Sequence, residues 1–134
     1  MLDSVHEAID AAEQILPGQV APDGQRDPRW QAIMHIEDFI EYEPEAILRF
    51  VLKWGIHEQE DLRSAIACLL LEHLLEFHFE LIFPRIQQAA FAHPLFADTF
   101  LKSWKLGQAK EEPNSTKFDA LRSKLVPHHP APSP

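Results

Sequence analysis

EDLRSAIACLLLEHLLEF, residues 60–77, carries no glycine or proline, and eleven of its eighteen positions are apolar. Read as a straight α-helix, Leu62, Ile66, Leu69, Leu70, His73 and Phe77 form one face. Ala67, Cys68, Leu71, Leu74 and Leu75 cover most of the remainder. Only a narrow stripe with Ala65, Glu72 and Glu76 is left for water. A helix that is apolar nearly all round is packed on several sides, so this segment is expected at the centre of a helical protein.

The flanking sequence supplies its neighbours. Ser4 and Glu7 have capping-box spacing, and a helix with Val5, Ala8, Ile9, Ala12 and Leu16 inward ends at Pro17-Gly18. Pro22-Asp23-Gly24 marks a turn. Asp27-Pro28 opens a second helix with Ala32, Ile33, Ile36, Phe39 and Ile40 inward. Pro44 starts a third, which Gly55 is expected to end in the left-handed conformation. A fifth covers about 79–91, kinked or restarted at Pro84. His93-Pro94 opens a sixth, with Phe96, Phe100, Leu101 and Trp104 inward and Gly107 at its end. Residues 111–116 read as polar linker, and Phe118, Leu121 and Leu125 hint at a short amphipathic helix. Residues 126–134 hold four prolines and two histidines and read as disordered. No segment alternates as a strand does. The fold class is all-α: five to six helices as antiparallel hairpins, HEAT-like or an irregular bundle. A single helical domain is expected over 1–107, followed by linker and tail over 108–134.

Segments 27–56 and 61–91 are similar to each other. Asp27, Arg29 and Ala32 answer to Asp61, Arg63 and Ile66, and Glu37, Ile40, Glu41 and Ile47 to Glu72, Leu75, Glu76 and Ile82. The run from Asp61 through Arg63, Ala65 and Ala67 to Leu70 resembles the first helix of a HEAT-type repeat. That resemblance implies stacked helical hairpins. Residues 43–107 also resemble a family of small uncharacterised bacterial helical domains. The matching positions are Pro44-Glu45-Ala46, Leu71-Glu72-His73-Leu74-Leu75, Ile82, Pro94-Leu95-Phe96 and Trp104. That likeness implies a helical fold and no particular activity.

Composition weakens several function classes. The 134 residues hold 21 acids and 12 bases, for a net charge of −9. Residues 1–80 carry 17 of the acids and 5 of the bases. Nucleic-acid binding needs a basic face, and anionic lipid attracts bases, so neither partner is expected. One cysteine forms no internal disulfide, no apolar run reaches the ~18 residues of a span, and no export signal is seen. A cytoplasmic location is the expectation. The composition leaves the oligomeric state open.

No phosphate loop or nucleophile elbow is present, and no catalytic residue or cofactor is expected. Cys68, amid leucines, reads as an inert thiol. His73, Glu76 and Glu80 have the i, i+3, i+7 spacing of helical-bundle metal ligands. His73 also lies in the apolar arc, where it reads as a core histidine with one hydrogen bond. An acidic ladder is the strongest functional signal. Glu37 and Glu41 are four apart, as are Glu72 and Glu76, although like charges at that spacing cost a helix roughly 0.2–0.5 kcal/mol per pair. Trp30 and Met34 share the stripe of Glu37 and Glu41. The ladder is expected on one exposed surface that binds a basic protein partner, as an immunity- or antitoxin-like inhibitor does. The alternative is a metal-binding protein that uses His73, Glu76 and Glu80. A solvated face that keeps the chain soluble is the simplest reading of the ladder.

Overall fold

The computed structural model describes residues 4–126, which contain seven helices and no strand. They are α1 (Val5–Ile15), α2 (Pro28–Glu37), α3 (Pro44–Trp54), α4 (residues 60–77), α5 (Phe79–Ala92), α6 (Pro94–Leu101) and α7 (Asn114–Leu125), with a 3-10 turn at Gly107–Lys110. Three of the seven helix starts carry a side-chain cap. Ser4 Oγ accepts from Glu7 N, Asp27 Oδ1 from Arg29 N, and His93 Nδ1 from Leu95 N.

Helix α4 packs against α2, α3, α5 and α6, which is the central position expected of it. It is not a straight α-helix. Between Glu60–Ile66 and Glu72–Phe77, the segment Ala67–Leu71 forms a π turn, closed by Glu72 N donating to the carbonyl of Ala67 five residues back. A π turn holds one more residue than an α turn, so every position beyond it moves by one residue on the helix circumference. The buried face therefore runs Leu62, Ile66, Leu70, Leu74 rather than Leu62, Ile66, Leu69, His73. Ala65 and Glu72, expected in the watered stripe, are buried, while Leu69 and His73 become half-exposed.

Two buried arginines clamp alternate helices, α2 to α4 and α4 to α6. Arg29, 2% exposed, forks onto Asp27, pairs with Asp61 at the start of α4, and donates to the Pro17 carbonyl and to Gln59. Arg63 donates to Asp98 of α6 at 2.9 Å and to the carbonyls of His57 and Glu58. Asp61 and Asp98 lie on the helices two further along the chain, and each guanidinium is satisfied, as burial demands.

Three other expectations are corrected. Gly55 is right-handed (φ −69°), and its small size serves packing: a Cβ there would lie 2.6 Å from the Val51 carbonyl and 2.9 Å from the Phe96 ring. Helix α6 stops at Leu101, so Trp104 is turned outward, 70% exposed. Gly107 opens the 3-10 turn at φ +50° instead of ending a helix. The helical body also continues past 107. Helix α7 packs on α5 and α6, with Phe118 buried 4.9 Å from the Phe100 ring centre. Pro84 lies within a continuous α5. The expectation of a disordered tail over 127–134 falls outside the described residues. No helix among the described residues is long and apolar enough to cross a membrane.

Candidate functional site

Where α2 ends, it faces the second half of α4 across a cleft of about 290 Å³ lined by Glu37, Asp38, Ile40, Glu41, Tyr42, His73 and Phe77. Several local features build it. Helix α2 stops at Glu37, and the chain turns through 38–42 with Phe39 N bonded to Ile36 O and Glu43 N to Phe39 O. Glu41 is thus in a turn, not on the helix stripe that its spacing from Glu37 suggested. Ile40 is buried beneath, and its carbonyl takes a hydrogen bond from His78 Nε2 at 2.9 Å. That bond ties the α2 turn to the α4–α5 junction. The π turn then rotates His73 out of the core and into the cleft wall.

Within the wall, His73 Nδ1 donates to Glu76 Oε1 at 2.7 Å, and its Nε2 lies 3.8 Å from Glu72 Oε2. Glu72 is 8% exposed and accepts from Trp104 N at 3.0 Å. Burial pushes the Glu72 carboxyl above its ordinary range, and the charges of Glu76 and Glu37 add to this, against the Trp104 hydrogen bond and His73. Glu37 is raised as well, first by burial, then by Asp38 and Glu76, with His73 partly offsetting them. Glu37 is thus near enough to Glu72 and Glu76 for their charges to act on one another.

The segment after α6 holds this wall from behind. Gln108 accepts from Phe79 N at 2.9 Å and donates to the Phe77 carbonyl at 2.8 Å, bridging the gap between α4 and α5. A Cβ on Gly107 would meet Glu76 Cγ at 2.4 Å. Only glycine permits both that approach and the positive φ. Sequence spacing gave no sign of this support, because it joins residues some thirty positions apart.

The structure brings together Glu37, Glu41, Glu72 and Glu76, but not in the exposed row expected. Glu41 is exposed, Glu37 and Glu76 are half-buried, and Glu72 is inside. Trp30, half-buried, packs against the core, and Met34, 45% exposed, does not line the cleft. Asp38, Tyr42 and Phe77 do line it, although none of them is expected from the sequence as a partner-binding residue and Phe77 is expected on the packed face of α4. The exposure of Tyr42 (80%) and Phe77 (41%) puts two aromatic rings at its edge.

The metal-ligand spacing does not survive the fold. Helix α4 ends at Phe77, His78 breaks the helical path (φ −140°), and Glu80 begins α5, lining a separate cleft with His78, Leu81, Gln108, Glu111 and Asn114. Among the described residues, no group of three or more His, Cys, Asp and Glu side chains is arranged to hold a metal ion. His73 is not a core histidine either, since the π turn turns it outward. Cys68 is half-buried with Sγ 3.9 Å from the Lys102 carbonyl. Burial pushes its thiol up and Glu72 adds to the shift, which is the reverse of an activated nucleophile.

Comparison with protein-family models, with curated proteins and with solved structures finds no match to this chain.

Proposed function

We propose that this chain is a non-catalytic interaction module, and that its cleft receives a basic side chain of a protein partner. The observation that supports this reading is a cluster of carboxylates in and beside one cleft, partly offset by His73 but met by no lysine or arginine. Of the 12 lysines and arginines, none forms an ion pair with Glu37, Asp38, Glu41, Glu72 or Glu76 among the described residues. Burying carboxylates beside one another is unfavourable unless a cation arrives. An arginine suits the cleft best, since its planar fork matches carboxylates and its face stacks on rings such as Tyr42 and Phe77. The negative first two-thirds would steer such a partner in. One concrete form is an immunity- or antitoxin-like inhibitor that occupies a basic active site. Charge and size carry that form by analogy. The recurring clamp, Arg29 to Asp61 and Arg63 to Asp98, supports reading the scaffold as a HEAT-like stack of hairpins. No geometric observation favours the metal-binding alternative.

An arginine-rich peptide titrated into the protein, followed by NMR, tests the reading. Shifts should concentrate at Tyr42, His73 and Phe77, weaken with salt, and fall away in the E37Q/E41Q double variant. Binding elsewhere, or binding unchanged in that variant, would count against it. Stoichiometric metal in the purified protein would favour the alternative.

A further inference from the structure

A second cavity has the opposite chemistry. Helices α1 and α2 form an antiparallel pair, and between them runs a groove of about 400 Å³ lined by Ala11, Ile15, Arg26, Pro28, Gln31, Ala32 and His35. Its surface is almost wholly carbon, because Ala11 and Ala32 stand where longer side chains would close the gap. Ile15 is left 41% exposed at its side. The volume lies in the ~300–1,000 Å³ range of small-molecule sites.

Charge marks one end of it. Of the five bases in residues 1–80, Arg29, Lys53 and Arg63 are ion-paired. Arg26 and Arg49 have no ion pair among the described residues, and Arg49 shares its cleft with Glu13 and Lys53. Arg26 alone stands against an apolar surface, and no carboxylate lines that surface with it. The antiparallel pairing puts Arg26, Pro28 and Ile15 towards one end of the groove and His35 and Ala11 towards the other. Gln31 and His35 offer polar edges whose side chains take no hydrogen bond within the described residues.

We infer that this groove binds a small amphiphile with one carboxylate and an apolar chain of medium length. The chain lies over Ala11, Ile15, Pro28 and Ala32, and the carboxylate meets the Arg26 guanidinium. A cation at one end of a carbon-lined floor matches a ligand with one charged end and an apolar body. The site is independent of the acidic cleft and of what that cleft binds.

Decanoate, decanol and decyltrimethylammonium, each below its micelle concentration, are titrated into the full chain and followed through NMR signals of Ala11, Ile15 and Ala32. Decanoate should give saturable shifts confined to these residues and bind about tenfold more tightly than decanol, the equivalent of one charge-assisted hydrogen bond. The cationic amphiphile should bind most weakly. R26Q, at an exposed loop position, should lower decanoate to the level of decanol, and A11L should abolish both by filling the floor. Equal binding of decanoate and decanol overturns the proposal, as do shifts scattered over the surface. Concentration-dependent shifts at these residues without ligand would show that a second copy covers the groove, and would also overturn it.

Discussion

Deleting Leu69 removes one residue from the π turn of α4, and the fold should survive it. The buried positions Leu62, Ile66, Leu70 and Leu74 are spaced four, four and four, which drifts off a straight helix face by the one extra residue the π turn absorbs. Without Leu69 the spacing becomes four, three and four, the ordinary pattern of a buried helical stripe. Both halves of α4 keep their contacts while the bulge reverts to α-helix. The loss is then the half-buried Leu69 side chain alone, about 1 kcal/mol, or roughly half of what full burial of a leucine contributes. Deleting Arg49, exposed in the middle of α3, is the comparison. There no bulge absorbs the change, and Phe50 and Val51, both buried, turn by about 100° out of the core. That loss should approach the whole stability of a domain, ~5–15 kcal/mol. Urea melts of the two deletions give the answer. If the Leu69 deletion is as damaging as the Arg49 deletion, the π turn does not hold a surplus residue and the account of α4 is wrong.

Other outcomes follow from burial and charge. Arg29→Ala should cost about 3–5 kcal/mol in denaturant melts, since it leaves Asp27 and Asp61 without their buried partner, whereas Arg29→Met combined with loss of both acids should cost less. Phe118→Ala should cost about 3–5 kcal/mol, because α7 belongs to the core; a loss near zero would detach it. Glu72→Gln should raise stability at neutral pH. A carboxyl raised in the folded state by burial and like charge holds its proton longer than in the unfolded chain. Its penalty is absent below the unfolded carboxylate range and complete above the folded value. The gain over wild type should therefore shrink as the medium is acidified through that range, and a gain constant with pH would point elsewhere. Asp27 and Glu13 act in the opposite sense. Arg29 and Lys53 respectively hold them below the ordinary range, so their contribution is present at neutral pH and is lost as pH falls through their folded values.

The helical class, most helix starts and the central place of 60–77 were legible because they rest on local chemistry: caps, proline positions and apolar spacing. What escaped was set by geometry without a residue signature. Nothing in Ala67 to Leu71 announces a π turn, yet it decides that Glu72 is inside and His73 outside. The stop of α2 at Glu37 likewise moved Glu41 into a turn and brought Asp38 and Tyr42 to the cleft. Gly55 has the position of a conformational residue, yet the Val51 carbonyl and the ring of Phe96, forty-one positions away, are what require it. Trp104 looked like part of a stripe, and only the early end of α6 exposes it. Glu37 comes near Glu72 and Glu76 because the end of α2 faces the second half of α4, and the spacing of the acids gives no sign of the depth of Glu72.

Glu76 faces two ways. Its carboxylate belongs to the cleft through His73, while its side-chain stem and backbone press against Gly107, and Trp104 and Gln108 fasten the residues on either side. The cleft is therefore not portable as a contiguous piece. A graft of residues 27–77 onto another scaffold would carry every side chain that lines it and leave behind the brace that fixes their positions. An engineer who wants the recognition surface must transplant residues 102–110 with it, and α7 as well if that brace is to keep its own footing. Conversely, changes made around Gly107, far from the lining in sequence, offer a way to retune the spacing of the carboxylates without altering any of them.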